Sequence, residues 1–293
     1  MPVTTTSLRT DDGATLAVHA TAEPYAGAPV VVLANGLGGP HLAWRSLIDD
    51  LGDRYRFLTW DYRGLYGSRR PEPEVAGSYA VHRHVDDLAA VLRAFEVRRA
   101  SFVGWSMGVQ VALEAYAAMP EAVANLVLLN GTFGRPLHTA TPIAFLGPMV
   151  PRAVAIAERM HGPIGLLTRR ASTVPHTAHL LKRLGLIGEA LSDDDLIELV
   201  RAFGELDMRV FLRNLLALGE HDASRILPRV TVPTLVITGD QDRMTPRGLS
   251  QQMVRKIPNA EILVVRGGTH YTAVEYPELV DLRIERFYRE HGY

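Results

Sequence analysis

The segment Gly104-Trp105-Ser106-Met107-Gly108 is the strongest candidate for chemistry, because it stands where an apolar run, Ser101 to Trp105, gives way to the helical pattern of Val109 to Ala118. Between a strand and a helix, G-x-S-x-G describes a turn so sharp that the serine takes a strained backbone conformation and the flanking glycines cannot carry side chains. Such a turn exposes the Ser106 hydroxyl and leaves the Met107 amide at a helix N-terminus, aimed at any oxygen that approaches. The plainer alternative, Ser106 as a helix N-cap, does not explain the strand in front of it.

A serine hydroxyl is a weak nucleophile and needs a base, held in turn by a carboxylate. Among eleven histidines, position singles out His270: Gly268-Thr269-His270 follows the last strand-like run, Glu261 to Val265, and precedes a C-terminal helix. The carboxylate has one source, Gly239-Asp240-Gln241-Asp242 after the run Thr234 to Thr238, since the loop after Asn125 to Leu129 offers only Asn130. On position alone either Asp240 or Asp242 serves. The order Ser, acid, His is the one expected when a strand-turn-helix carries the serine. A second backbone donor for a developing oxyanion is expected from Asn35-Gly36-Leu37-Gly38-Gly39, whose glycines allow close approach, with the Leu37 amide as the donor. No Lys follows these glycines and neither phosphate-loop pattern fits, so phosphate binding is set aside.

The elements that must hold these residues recur as a rhythm of apolar run and helix. Val30 to Ala34 precedes Leu42 to Leu51; Phe57 to Trp60 precedes Val85 to Phe95; Thr234 to Thr238 precedes Leu249 to Ile257; Glu261 to Val265 precedes Ala273 to Tyr288. Runs apolar throughout and alternating with helices predict an α/β fold with a mostly parallel, doubly covered sheet of about eight strands. Ser7 to Arg9 and Thr15 to Ala20, around Asp11-Asp12-Gly13, predict an antiparallel pair at one edge.

The rhythm stops between Gly131 and about Leu227. Helices are predicted over Arg152 to Met160, His176 to Leu186, Ser192 to Leu206 and Asp207 to Leu218, with Ser192 and Asp195 as a loose capping box and Gly131 to Pro151 as a mobile connection. Residues 1–134 and 222–293 are read as the core and 135–221 as a helical cap over the strands' carboxyl ends, where ligands bind in such sheets. A helical extension that only packs on the core is the plainer reading. Asp193-Asp194-Asp195 reads as a helix N-terminus favoured by its dipole, and Met149, Met160, Phe203, Met208 and Phe211 fit equally as cap core or as substrate wall.

Composition narrows the partners. Thirty-one basic and 32 acidic side chains give a formal charge of −1, which makes nucleic acid an unsuitable partner. Zero Cys excludes disulfides and thiolate chemistry and fits a reducing, cytoplasmic setting. Met1 to Ala20 is too polar for a secretory leader, and Gly147, Pro148, Pro151 and Arg152 interrupt the most apolar window, so no membrane span is expected.

With these pieces in place the chain resembles the α/β-hydrolase superfamily, in particular its capped branch of carboxylesterases, enol-lactonases, perhydrolase-type haloperoxidases and C–C bond hydrolases. The resemblance runs from Val30 to the C-terminus and rests on Asn35 to Gly39, on Asp61-Tyr62-Arg63-Gly64-Leu65-Tyr66-Gly67-Ser68 as a spaced-out D-x-R-G-x-G-x-S, on the serine turn, on Gly239 to Asp242 and on His270. It implies a cofactor-free, metal-free hydrolase in which Ser106, His270 and an Asp act together, with Leu37 and Met107 as oxyanion donors. The acid of the family stands three residues after the glycine, as Asp242 does after Gly239. Asp240, directly after the turn glycine, is expected to fold onto local backbone amides instead. Ser106 departs from dehalogenases and epoxide hydrolases, which carry Asp there, and Met107 from proline-specific aminopeptidases, which usually carry Trp. Two departures from the resemblance concern the scaffold: Asn35 replaces a His, and Val109 replaces a common third glycine. The expected substrate is a small carboxylic ester with an apolar acyl or alcohol part.

Overall fold

The computed structural model describes residues 1–75, 77–139, 149–174 and 176–293. Eight strands form one sheet in the order β1-β2-β4-β3-β5-β6-β7-β8. They are β1 (Val3–Arg9), β2 (Thr15–Thr21), β3 (Val30–Ala34), β4 (Arg56–Trp60), β5 (Ala100–Trp105), β6 (Val123–Leu129), β7 (Thr234–Gly239) and β8 (Ala260–Val265). β1 and β2 pair antiparallel, Arg9 opposite Thr15, and β2 lies antiparallel to β4; every other pairing is parallel. The edge hairpin and the parallel core both match the sequence expectation.

Helices α1 (Arg45–Leu51), α2 (Val81–Ala94), α3 (Met107–Ala118), α10 (Arg247–Lys256), α11 (Thr272–Glu275) and α12 (Pro277–Glu290) cover the sheet. Alternation along β5 divides the core. Phe102 turns toward α2 and α3 with Leu88, Val91 and Val111, whereas Val103 and Trp105 turn toward α1 and α12 with Leu47, Ile48, Ile284 and Phe287. The C-terminal helix expected over Ala273 to Tyr288 is broken at Tyr276, before Pro277, whose ring cannot continue the preceding helix.

Between β6 and β7 lie α4 (Pro136–Thr139), α5 (Met149–Arg159), α6 (His161–Ser172), α7 (His176–Arg183), α8 (Asp193–Gly204) and α9 (Met208–Glu220). Helix α6 has no counterpart in the sequence expectation, because Gly162, Pro163 and Gly165 mask its pattern. Among the described residues this stretch holds no strand, only an isolated bridge between Gly134 and Asp222. The connection expected over Gly131 to Pro151 falls partly outside the described residues, at 140–148; its described part contains that bridge and α4. Ser192 caps α8 by accepting the Asp195 amide at 3.1 Å, and Asp207 caps α9 through the Arg209 and Val210 amides. Among the described residues no helix is long and apolar enough to cross a membrane.

Candidate active site

Ser106 sits between β5 and α3 at φ 55°, ψ −113°, a left-handed conformation that a β-carbon strains. The turn is possible because two chains pass within contact of it: a β-carbon on Gly104 would strike the Gly108 carbonyl, and one on Gly108 would strike the Ala34 carbonyl of β3. The absent third glycine is compensated across the sheet. Val109 presses on the α-carbon of Gly131, where an added β-carbon would lie 2.6 Å from Val109 Cβ and 2.9 Å from the Ser106 carbonyl oxygen.

His270 Nε2 lies 2.8 Å from Ser106 Oγ, and His270 Nδ1 lies 3.0 Å from Asp242 Oδ2. Asp242 is buried and saturated: Oδ1 accepts the Met244 and Thr245 amides, each at 2.8 Å, while Oδ2 accepts the Thr245 hydroxyl at 2.7 Å and the Asn130 amide group at 3.0 Å. Burial alone would raise this carboxyl; hydrogen bonds from His270 and Thr245 and the attraction of His270 outweigh it and hold the group below the usual carboxylate range. Asp240 points elsewhere. Its Oδ1 accepts the Gly267 amide at 2.8 Å, so it ties two strand-end loops together rather than its own turn, which corrects the expectation of a local bond.

Met107 follows the serine at the start of α3, and Leu37 follows Gly36 in the loop that approaches it. Neither amide donates to an acceptor among the described residues, which leaves both available. A β-carbon on Gly36 would lie 3.1 Å from the Trp105 ring and 3.3 Å from Ser106 Cβ, so the missing side chain eases the loop's approach to the serine. Asn35, which stands where the resemblance has a His, anchors the loop: its side chain donates to the Trp60 carbonyl at 3.1 Å and accepts from the Trp44 indole. Tyr62 and Tyr66, from the segment after β4, donate to the Asn35 carbonyl at 2.7 Å and the Gly38 carbonyl at 2.5 Å. Arg63 of that segment is buried in a two-pronged pair with Asp87 of α2, both bonds 2.6 Å, which fixes the segment to the core.

Three positioning groups escaped the sequence reading. Asn130, at φ 42°, donates to both Asp242 Oδ2 and the Thr269 carbonyl, at 3.0 and 2.9 Å, joining the acid loop to the His loop. Trp105 Nε1 donates to the His270 carbonyl at 3.0 Å. Buried Glu275 accepts the Thr269 amide at 2.8 Å and the Gly188 amide of the insert at 2.6 Å. Asn130 was visible in sequence only as the residue that is not a carboxylate; the other two carried no signal.

The insert lies over the loop Asn35 to Gly39. A β-carbon on Gly38 would meet Leu206 and Phe211 at 3.0 Å and Phe203 at 3.2 Å, so these side chains form an apolar wall directly above it. Met208 is also buried, whereas Met149 and Met160 face solvent. A cleft of about 500 Å³ between α6 and α9 shares Leu206 with this wall but contains none of Ser106, His270 or Asp242.

Among the described residues one group could offer three ligands to an ion: His19, His41 and Asp61, with ligand atoms within 4.8 Å of each other. Two imidazoles and a carboxylate suit zinc, but the rings are stacked 3.9 Å apart at 20°. Nearly parallel ring planes cannot both direct an in-plane lone pair at one ion. The trio reads as packing beneath the loop, with His41 shifted below its ordinary pKa by burial and by His19.

Comparison with known proteins then decides the family. The family described as alpha/beta hydrolase fold matches residues 29–277. This chain belongs to the α/β-hydrolase family. The relative named "Putative carbamate hydrolase RutD" from Yersinia enterocolitica is 26% identical to this α/β-hydrolase over 253 residues, 86% of this chain and 84% of that protein. The esterase from Exiguobacterium antarcticum superposes with a TM-score of 0.79 at 18% identity, covering 98% of this chain and 100% of that one. An enol-lactonase from Burkholderia xenovorans LB400 gives 0.78 at 21%, covering 97% and 99%. Both likenesses concern the fold.

Proposed function

We propose that this α/β-hydrolase is a serine hydrolase that cleaves a small carboxylic ester through an acyl-enzyme and needs no cofactor. The observation that carries the reading is the unbroken line from Asp242 Oδ2 to His270 Nδ1 at 3.0 Å and from His270 Nε2 to Ser106 Oγ at 2.8 Å. Asp242, accepting at Nδ1, leaves Nε2 free to take a proton. As Ser106 Oγ bonds to the carbonyl carbon, its proton passes to His270 Nε2 and the carbonyl electron pair moves onto oxygen, facing the amides of Leu37 and Met107. Collapse of that intermediate expels the alcohol, which takes the proton from His270. Water, activated by His270 in the same way, then releases the acid and restores Ser106.

The insert, residues 135–221, serves in this reading as a cap. Phe203, Leu206 and Phe211 over the oxyanion loop favour an apolar acyl or alcohol part. A second reading has a specific ground: relatives 26% identical bear the name of a carbamate hydrolase, and a carbamate carbonyl is open to the same attack. Turnover of a matched pair, a p-nitrophenyl ester and the corresponding carbamate, tests both, with Ser106→Ala as background. Ester turnover far above that background supports the proposal; faster carbamate turnover moves the assignment to carbamates. No turnover of either overturns it in favour of a ligand-binding protein that keeps these residues.

A further inference from the structure

The outer helices of the insert carry a surface that hydrolysis does not use. From 149 to 186 the sequence holds six Arg or Lys residues and a single acid, Glu158, in a chain whose formal charge is −1. Glu158 is engaged from the inner side, accepting Arg213 of α9 at 2.9 Å with Arg209 nearby, and so balances nothing on the outer face. Arg152, Arg159, Arg169, Arg170 and Arg183 are exposed, and none of their guanidinium groups has a hydrogen-bond or ion-pair partner among the described residues.

Apolar side chains share the same faces. On α5, Arg152, Ile156 and Arg159 recur at intervals of three and four and form one stripe, which Met160, directly after the helix, continues. Helix α6 adds Leu166, Leu167 and Arg170, and α7 adds Leu180 and Arg183, with Leu184 in the turn that follows, at the same spacing. Every one of these apolar side chains is more than half exposed, Leu167 to 69%. The inner sides of the helices are occupied: α5 and α6 pack on α9, α6 and α7 on α8. A water-facing helix face normally carries mixed charge without leucines; these faces carry leucines and positive charge alone.

We propose that this outer face docks on an anionic phospholipid surface. Guanidinium groups pair with phosphates at headgroup level while their stems and the neighbouring Leu, Ile and Met side chains enter the acyl boundary. Uniform positive charge opposes a symmetric contact with a second copy, which would set arginines against arginines. Leu166 of this face, with Arg169, also lines the cleft between α6 and α9. The inference goes beyond the proposed hydrolysis and does not depend on it: the surface contains none of the residues placed around Ser106.

Flotation of the full chain with vesicles tests it. Protein should rise with phosphatidylcholine vesicles containing about one-third phosphatidylglycerol, stay behind with pure phosphatidylcholine, and be released by about 0.5 M salt, since such attraction falls off within a Debye length. Arg159→Glu with Arg170→Glu, and separately Leu166→Ser with Leu167→Ser, should each weaken partitioning about tenfold or more, while activity in free solution stays at the wild-type level and reports an intact fold. Ser106→Ala should float like wild type, so failure of the hydrolysis reading leaves this result legible. The proposal is overturned by absence of flotation, by equal flotation with both vesicles, or by variants that float undiminished. Light scattering that shows a wild-type dimer dissolved by Leu167→Ser would also overturn it, assigning the face to self-association.

Discussion

Replacing Asp242 by Asn changes one atom and should separate it sharply from Asp240. Asp242 accepts five hydrogen bonds: Met244 and Thr245 amides at Oδ1, and the Thr245 hydroxyl, Asn130 and His270 at Oδ2. An Asn amide can point its NH₂ toward Oδ2's three partners or toward Oδ1's two, and either choice sets it against donors. In the first, His270 Nδ1 must become an acceptor, which moves the ring proton to Nε2, where it faces Ser106 and abolishes the base. The cost in the analogous serine-protease change is about 10⁴ in kcat, or about 5.4 kcal/mol of barrier at 1.36 kcal/mol per decade. In the second, two buried amides lose acceptors, at about 1–3 kcal/mol of stability each. Asp240→Asn keeps an oxygen that can still accept the Gly267 amide, so it should cost no more than about 1 kcal/mol of stability and leave kcat within a fewfold. The assay is kcat and KM for one p-nitrophenyl ester at one pH for both variants, with thermal unfolding alongside. A larger loss of kcat in Asp240→Asn than in Asp242→Asn would refute the reasoning.

Three further outcomes are expected. His270→Ala should fall to the level of Ser106→Ala, and the double variant no lower, because the residues act as one unit; a double variant much slower than either would contradict this in steady-state assays. Gly131→Ala should destabilise the fold by about 2 kcal/mol by driving a methyl into Val109, with partial recovery in Val109→Gly/Gly131→Ala, since the Ser106 carbonyl still crowds the site; denaturant midpoints report both, and full recovery would misplace the strain. Burial, with the neighbouring Asp50, pushes the Asp281 carboxyl up to about 7 against the Ser46 hydroxyl bond. The folded chain therefore holds this proton more tightly than the unfolded chain, and this contribution to stability is lost as pH rises from about 4 to about 7. Asp281→Asn should gain on wild type across that window, by up to about 4 kcal/mol above it; a flat difference between the two stability–pH curves would exclude it.

The sequence made the strands legible because those in the middle of the parallel sheet are buried on both faces and read as unbroken apolar runs, Val30 to Ala34 being matched to the residue. Ser106, His270 and Asp242 were legible because each follows a strand at the same sheet edge, and strand ends are easily counted. Asn130 was not, since a positive φ and a bond across two loops leave no local pattern. Nor was the compensation of Val109 by Gly131, which depends on a contact between α3 and the end of β6. Helix α6 was hidden by its glycines and proline, and it is held by packing on α8 and α9 rather than by its own propensity.

The most direct test of the account is the covalent intermediate. Wild-type protein quenched during turnover of a p-nitrophenyl ester, or treated with a serine-reactive phosphonate, should gain the mass of one acyl or phosphonyl group, and peptide mapping should place it on Ser106, with Ser106→Ala unlabelled. Label on another residue, or turnover retained in Ser106→Ala, would contradict the account.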